Sequence, residues 1–487
     1  TCGGAWSFVA NGNRSGANPA RFRSDTAMVG HLVEQLPLVI SPPLSSSHEF
    51  AAAAEVIRTL HAAGYDACLI GGCVRDMVLG LVPKDFDIVT SAKPEETQAL
   101  FPRSLRLGAQ FGVITVLANG LSFDVATFRR EGNYEDGRRP SWVEYADLEA
   151  DVRRRDFTIN GMAFDLSRSS VIDLCGGLTD LRKGIIRTIG DPAERFGEDA
   201  LRVIRAVRFA ARFGFSLEET TRLALMSAAP SLGRIARERI WQELEFMMTE
   251  EHREVAFRLL AELGLLPHVF GPDVVWSSET IVRTSARLEA LASDASIVLV
   301  LACVLADGVA RAAPNESADR VVEPYDEEAA SRAEAVLASL RAPRSVVDGV
   351  GALIARRMVW AAQNSLREGR IAQLVRNDRT GALVSFWAAD AASFGLADAV
   401  SRIRDIADRI IAEGKAHGGK SSMPVNGTVL AEAGVPRDAT MGELLAEAER
   451  LWLEGKLETE ADVRRWLADA VRSADASPCP GNSKPQA

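Results

Sequence analysis

The rhythm of apolar and polar positions changes once along the chain, near Gly190. Before it, short apolar runs alternate with helical stripes. Phe50, Val56, Ile57 and Leu60 recur at helical spacing and predict a helix over Glu49–Ala63, closed by Gly64. The apolar run Cys68–Ile70 meets the pair Gly71-Gly72, and a short amphipathic helix is predicted from Val74 to Leu79. Gly80 and Pro83 then punctuate the chain, and a second strand is predicted to begin near Asp85. Pro94 opens a helix to Leu100, with Ser91 as its expected N-cap. Gly112–Leu117 and Leu121–Phe128 read as strands joined by the hairpin dipeptide Asn119-Gly120. Glu131–Pro140 is a polar loop, too charged for a core; Leu148–Phe164 is helical in pattern; Val171–Leu174 is a short strand. After Gly190 an Ala-, Leu- and Arg-rich helical pattern runs from Pro192 to Ala470, broken at Pro230, Pro267–Pro272, Ala313–Tyr325 and Lys415–Pro424. The fold expected is α+β: a head with a small mixed sheet and helices over residues 46–190, then an all-helical remainder. Residues 1–45 and 473–487 are polar and Gly-, Ser- or Pro-rich, and disorder is expected there.

The totals narrow the class. At 487 residues the chain has room for several domains, and 47% hydrophobic with 25% charged residues is ordinary globular composition. Six scattered cysteines form no CxxC, so neither a disulfide framework nor a structural zinc site is expected, and a reducing cytoplasm fits. No apolar run is long enough to span a membrane. The longest, Ile297–Ala306, reads as a buried helix, and no basic start leads into an apolar core as in a signal peptide. A net charge of −10 means that any nucleic-acid binding must rest on a local basic surface.

Three constellations carry candidate chemistry. Asp85 and Asp87 alternate on the second predicted strand, so their carboxylates share a face, and Asp124 on a later strand adds a third acid. Like charges so placed call for a divalent cation. Mg²⁺, which takes a few carboxylates plus substrate phosphates, suits the pattern, and two such ions can clamp a phosphoryl transfer. The bland alternative is a solvated surface strand. Gly71 and Gly72 let backbone approach a polyphosphate, and Arg75 can pair with phosphate, or simply with Asp76 in a tight turn. The third constellation is a helix read from Glu198. There Asp199, Arg202, Arg205 and Arg208 wind around the face opposite Val203, Ile204 and Val207. An arginine-rich face without matching acids on it is costly unless an anion sits there; otherwise it is a solvated amphipathic helix. Arg153, Arg154 and Arg155 add a basic patch beside Glu149, Asp151 and Asp156.

In this order the motifs resemble the class II nucleotidyltransferase superfamily, which holds the tRNA CCA-adding enzymes and the bacterial poly(A) polymerases. The resemblance covers Phe50–Met248. It rests on Gly71-Gly-Cys-Val-Arg-Asp76 with Lys84-Asp-Phe-Asp-Ile88, Phe123-Asp-Val-Ala-Thr-Phe-Arg129, Arg154-Arg-Asp-Phe-Thr-Ile-Asn160, Glu198-Asp-Ala-Leu-Arg202, and Arg234-Ile-Ala-Arg-Glu-Arg-Ile240 with Glu243. It implies that Asp85 and Asp87 hold two Mg²⁺ ions, with Asp124 assisting as ligand or base. It places Gly71, Gly72, Arg75 and Arg155 at the nucleotide. Asp199 and Arg202 would read the base, and Arg205 and Arg208 would extend those contacts. It also divides the helical part into a neck (191–262), a body (263–412) and a tRNA-binding tail (413–472).

Within the family, a flexible loop at Glu131–Pro140, bearing Asp136, Arg138 and Arg139, disfavours CC-only addition. A C-terminus without strong basic charge disfavours open-ended polyadenylation. The expected activity is therefore addition of CCA to the 3′ end of tRNA from CTP and ATP, with pyrophosphate released, in the cytoplasm. No membrane and no obligate protein partner are expected. Poly(A) or A-only addition, and an inactive nucleotide- or RNA-binding relative, are the alternatives.

Overall fold

The structure, a computed structural model, describes residues 34–38, 44, 46–108, 111–132, 143–310, 326–362, 368–376, 378, 381–416, 425–435 and, with interruptions, 441–475. It divides into two compact units. The first comprises residues 1–132 and 142–179, and the second residues 133–141 and 180–487.

The first unit is built on one mixed sheet. Its strands are β1 (Glu34–Pro37), β2 (Ala67–Ile70), β3 (Ile88–Thr90), β4 (Ser104–Gly108), β5 (Val113–Ala118), β6 (Leu121–Thr127), β9 (Ala163–Asp165) and β10 (Ser170–Asp173). Among the described residues their order is β1-β10-β9-β2-β3-β6-β5-β4, with β3 and β6 parallel and the other pairs antiparallel. The separate antiparallel ribbon β7 (Arg129–Glu131) and β8 (Val143–Tyr145) brackets residues 132–142.

The helix expected at Glu49–Ala63 is α1 (His48–Ala62), capped by the Ser47 side chain, which accepts from Phe50 N. It packs its apolar stripe on the sheet, as does α3 (Pro94–Leu100). Lys93 and Glu96, rather than Ser91, cap α3; the Ser91 hydroxyl instead accepts from Asp66 N. The hairpin forms as expected, with Asn119 at φ 51° and Gly120 at φ 78°.

Three expectations are corrected. The sheet is larger than expected, because β4 joins one edge and residues 34–37, taken with the N-terminal extension, form the other edge as β1. Leu148–Phe164 is not one helix: α4 (Leu148–Arg153) stops, a single 3₁₀ turn covers Thr158–Asn160, and β9 follows. Asp156 causes the break, since its carboxylate accepts from Phe157 N and from the Asn160 side chain and competes with helical bonds. Third, β3 starts at Ile88, so Asp85 and Asp87 lie in its extended lead-in.

The second unit is almost wholly helical. It contains α5 (Pro192–Glu198), α6 (Leu201–Phe213), α7 (Glu219–Ala228), α8 (Arg237–Thr249), α9 (Arg253–Glu262), α10 (Ser278–Glu289), α11 (Ile297–Gly308), α12 (Glu327–Ser339), α13 (Arg344–Ala355), α14 (Leu383–Ser393) and α15 (Ser401–Ala416), among shorter helices. The apolar run at Ile297 is the buried helix expected, α11. It carries a buried acid, Asp307, into a closed ion network. Arg287 donates to Asp307 (2.6 Å) and Asp390 (2.7 Å), Arg357 reaches both acids at 2.7–2.9 Å, and Trp360 donates to Asp390 at 2.8 Å. Near the C-terminus Val425, Leu430, Val435, Ala448, Leu457 and Val463 form a small core of their own. Among the described residues no helix is long and apolar enough to cross a membrane.

Candidate active site

In the first unit the site is organised by the turn that leaves β2. Gly71 adopts φ 84°, ψ −134°, which admits the turn into α2 (Gly72–Val78). A Cβ on Gly71 would stand 3.3 Å from Arg155 Nη1 and 3.8 Å from Asp87 Oδ2. The glycine thus sits where an arginine, a carboxylate and the backbone converge.

Asp85 and Asp87 alternate with the buried Phe86 and Ile88, so both carboxylates lie on the open side of their segment. Asp87 is fixed through its carbonyl, which accepts from Ile70 N at 3.1 Å. Ile88 pairs in register with Val125, which brings Asp87 and Asp124 to adjacent positions on neighbouring chains of the sheet. Burial pushes the Asp87 carboxyl above its ordinary range; Arg155 pulls it down, while Asp85 and Asp124 push it further up. The Thr115 hydroxyl donates to Asp124 Oδ1 at 2.8 Å.

Among the described residues no three His, Cys, Asp or Glu side chains form a preassembled metal cluster. The carboxylates nevertheless fit a divalent ion of the Mg²⁺ kind. They repel one another without a compensating cation, and such an ion draws only part of its oxygen shell from protein.

The arginines of this unit are already engaged. Arg75 is buried: Nε and Nη2 donate to Asp76 Oδ1 at 2.9 and 2.7 Å, and Nη1 donates to Asn160 Oδ1 at 2.7 Å. It therefore braces the glycine turn from within, the pairing with Asp76 that the sequence left open. Arg155 is held by the fully buried Asp151 through Nε (3.2 Å) and Nη2 (3.0 Å), and Arg154 takes the other oxygen of the same acid. Burial pushes the Asp151 carboxyl up, but Arg155 and Arg154 outweigh it and hold it below its ordinary value. The loop residues Asp136, Arg138 and Arg139 lie outside the described residues, between the paired strands β7 and β8.

In the second unit the helix begins at Leu201, not Glu198. Asp199 occupies an extended break between α5 and α6 (φ −141°, ψ 102°), and its Oδ1 accepts from Leu201 N at 3.0 Å. Arg239 on α8 donates to both its oxygens, at 3.2 and 2.7 Å. Arg202 is buried and donates from Nη1 to Glu198 Oε2 (2.6 Å) and to the Arg195 carbonyl (2.8 Å). Arg205 (3.4 Å) and Arg208 (2.6 Å) both reach Glu243 of α8, and the Arg208 guanidinium lies 4.3 Å from the Phe209 ring centroid. The expectation of an arginine face without matching acids is thus corrected: Glu198 and Glu243 supply them from neighbouring helices. Arg239 is the residue that sequence reasoning passed over. It stands inside a quoted motif, four residues before Glu243, and that i, i+4 spacing on one helix face was the available signal.

Residues 67–187 match the family model described as poly A polymerase head domain, and residues 214–276 match the probable RNA and SrmB-binding site of polymerase A. The CCA-adding enzyme of Geobacillus thermodenitrificans is 42% identical over 238 residues, 49% of this chain and 58% of that protein. The CCA-adding enzyme of Anoxybacillus flavithermus is 40% identical over 260 residues, 52% of this chain and 65% of that protein. The chain thus spans somewhat less than two thirds of the length of these relatives. Among solved structures, the Bacillus stearothermophilus CCA-adding enzyme in complex with CTP superposes with a TM-score of 0.67 at 27% identity, covering 88% of this chain and 99% of that one. The Thermotoga maritima CCA-adding enzyme complexed with tRNA shares the fold, with a TM-score of 0.61 at 20% identity and coverage of 89% and 96%.

Proposed function

We propose, from the premise that the chain belongs to the family of CCA-adding enzymes and poly(A) polymerases, that it adds CCA to the 3′ end of tRNA from CTP and ATP without a nucleic-acid template. The observation that carries the reading is the pairing of two chemistries. Acids at a glycine turn suit nucleotidyl transfer, and an aspartate with an arginine three residues on suits reading a base.

Nucleotidyl transfer in this family depends on a metal. Mg²⁺ held by Asp85 and Asp87 would supply charge neutralisation at the phosphates and lower the pKa of the attacking hydroxyl. Gly71, buried and bonded from its N–H to the Met162 carbonyl, shapes the turn that would present Gly72 to the triphosphate, and Arg155, oriented by Asp151, adds positive charge beside it. Arg75 keeps that turn in shape through Asp76 and Asn160. Asp124 would take up the RNA 3′ hydroxyl proton or assist in holding the ion. The hydroxyl oxygen bonds to the α-phosphorus as the bond to pyrophosphate breaks.

Asp199 and Arg202 select the base in this reading. A carboxylate accepts from the exocyclic amine of cytosine or adenine, and a guanidinium donates to the neighbouring ring nitrogen. Guanine and uracil present an acceptor and a ring N–H there, so the same pair refuses them. Arg239 holds the Asp199 carboxylate at both oxygens, and Arg205 and Arg208 line the same helix. Residues 136–139 belong to the loop that, in this proposal, distinguishes full CCA from CC-only addition. A cytoplasmic enzyme acting on the tRNA acceptor end is the setting proposed.

The test is incubation with tRNA ending at the discriminator base, Mg²⁺ and each labelled nucleotide. CTP and then ATP are expected to be incorporated, and addition stops once CCA is complete. The match to a poly A polymerase head keeps a second reading alive: open-ended A tails on unrelated RNA would establish polyadenylation. No incorporation of any nucleotide would leave an RNA-binding relative.

A further inference from the structure

The third acid of the head, Asp124, is held by a residue to which no role has been given. Thr115 of β5 stands directly opposite Asp124 of β6 in register, and its hydroxyl donates to Asp124 Oδ1 at 2.8 Å. Alternation along the two strands sends Ile114, Val116, Phe123 and Val125 into the core and leaves Thr115 and Asp124 on the open face. Among the described residues the Asp124 carboxylate accepts no other hydrogen bond from protein. A threonine is well suited to the task. Its branched Cβ restricts χ1, so the hydroxyl is presented in a narrow range of directions. A hydrogen bond to an ionised carboxylate is also stronger than one between neutral groups.

We propose that Thr115 is a positioning residue for Asp124: it occupies Oδ1 and so fixes the direction in which Oδ2 meets the reacting end of the RNA. The inference rests on the proposed assignment of Asp124 to the catalytic carboxylates. The alternative is that Thr115 is there only as a good strand former on a half-covered face. These two roles rank two substitutions in opposite order. Thr115→Val keeps the branched shape and strand preference and removes the hydroxyl; Thr115→Ser keeps the hydroxyl and removes the methyl.

The measurement is the steady-state kcat and KM for CTP and ATP, with thermal melting and CTP affinity recorded on the same full-length preparations. Thr115→Val is expected to lower kcat by roughly tenfold while KM changes less than about twofold, as for an interaction made in the transition state. Thr115→Ser is expected to retain most of the wild-type kcat. Melting temperature and CTP affinity stay at wild-type values in both. A Val variant as active as wild type, or a Ser variant worse than Val, overturns the inference. Asp124→Asn separates this failure from failure of the underlying reading. If Asp124→Asn is inactive and Thr115→Val is not impaired, only the positioning role is lost. If Asp124→Asn has wild-type kcat, the catalytic assignment of Asp124 falls and the role of Thr115 with it.

Discussion

The head and the helical unit treat charge in opposite ways. In the head, burial together with the charges of Asp85 and Asp124 pushes the Asp87 carboxyl up, and the nearby guanidiniums are already committed: Arg75 to Asp76 and Arg155 to Asp151. In the helical unit every base-reading candidate has a protein partner. Asp199 has Arg239, Arg202 has Glu198, and Arg205 and Arg208 share Glu243. The first arrangement gathers like charges at Asp87, offset in part by Arg155. The second pairs each candidate with a protein group, which fits the proposed discrimination by fixed geometry. The network of Arg287, Arg357, Asp307 and Asp390 gives the reference for purely structural charge: all four are buried and paired with one another, and Asp307 takes Arg283 as well.

The sharpest way to break this contrast is to remove a head carboxylate. Asp87→Ala is expected to reduce nucleotide incorporation by roughly a thousandfold or more, since positioning and charge stabilisation at the phosphates are lost together. Circular dichroism should remain native, because the substituted carboxylate lies on the open side of its segment. Chelation of divalent ions should stop wild-type incorporation, and added Mg²⁺ should restore it. Retention of activity in Asp87→Ala would mean that the acids of the head are only a solvated surface.

The structural network answers on stability instead. Asp390→Asn leaves Arg287 and Arg357 buried with one acid between them and should cost about 3 kcal/mol or more of unfolding free energy, read by denaturant titration. Its pH dependence has a definite sign. Burial pushes the Asp390 carboxyl up, but Arg357, Arg287 and the Trp360 N–H outweigh it and hold it below its ordinary value. The stabilisation is therefore complete above the unfolded-state carboxylate range, about pH 4, and is lost as pH falls below it through the folded value. The gap between wild type and Asp390→Asn should close in acid and stay constant from pH 6 to 8, values taken as roughly the plateau of this linkage.

A smaller effect is expected at Arg239. Its loss frees the Asp199 carboxylate without deleting it, so Arg239→Ala should raise misincorporation of UTP relative to CTP by roughly tenfold, corresponding to one lost charged hydrogen-bond pair. Competition assays with mixed nucleotides would measure it. The smallest effect belongs to the fold alone: Ser47→Ala removes the cap of α1 and should cost about 1 kcal/mol in melting experiments, with base choice untouched.

The same contrast explains what was legible in the sequence. The glycine turn, the alternation of Asp85 with Asp87, the hairpin at Asn119-Gly120 and α1 are local features, set by φ preference and periodicity. The edge strand β1 was missed because its pairing with β10 is long-range, whereas β4 carried a signal that was passed over, since Ser104-Leu-Arg-Leu-Gly108 alternates polar and apolar positions and pairs with the strand that follows it. The end of α4 turned on side-chain bonds from Asp156 that mimic backbone, which a periodic pattern does not reveal. At α6 the arginines were visible, as was Glu198 four residues before Arg202, but the acid of Arg205 and Arg208 was not. Glu243 lies 35 and 38 residues from Arg208 and Arg205, and Arg239 lies 40 from Asp199, so only the tertiary fold brings them together.

The head is proposed to supply the reaction while Asp199 and Arg202 choose the base. The most direct test is the relative incorporation of the four nucleotides by Asp199→Ala on tRNA ending at the discriminator base. Transfer should continue with preference for CTP and ATP largely lost. Unchanged preference among the four nucleotides, at whatever rate transfer proceeds, would contradict it.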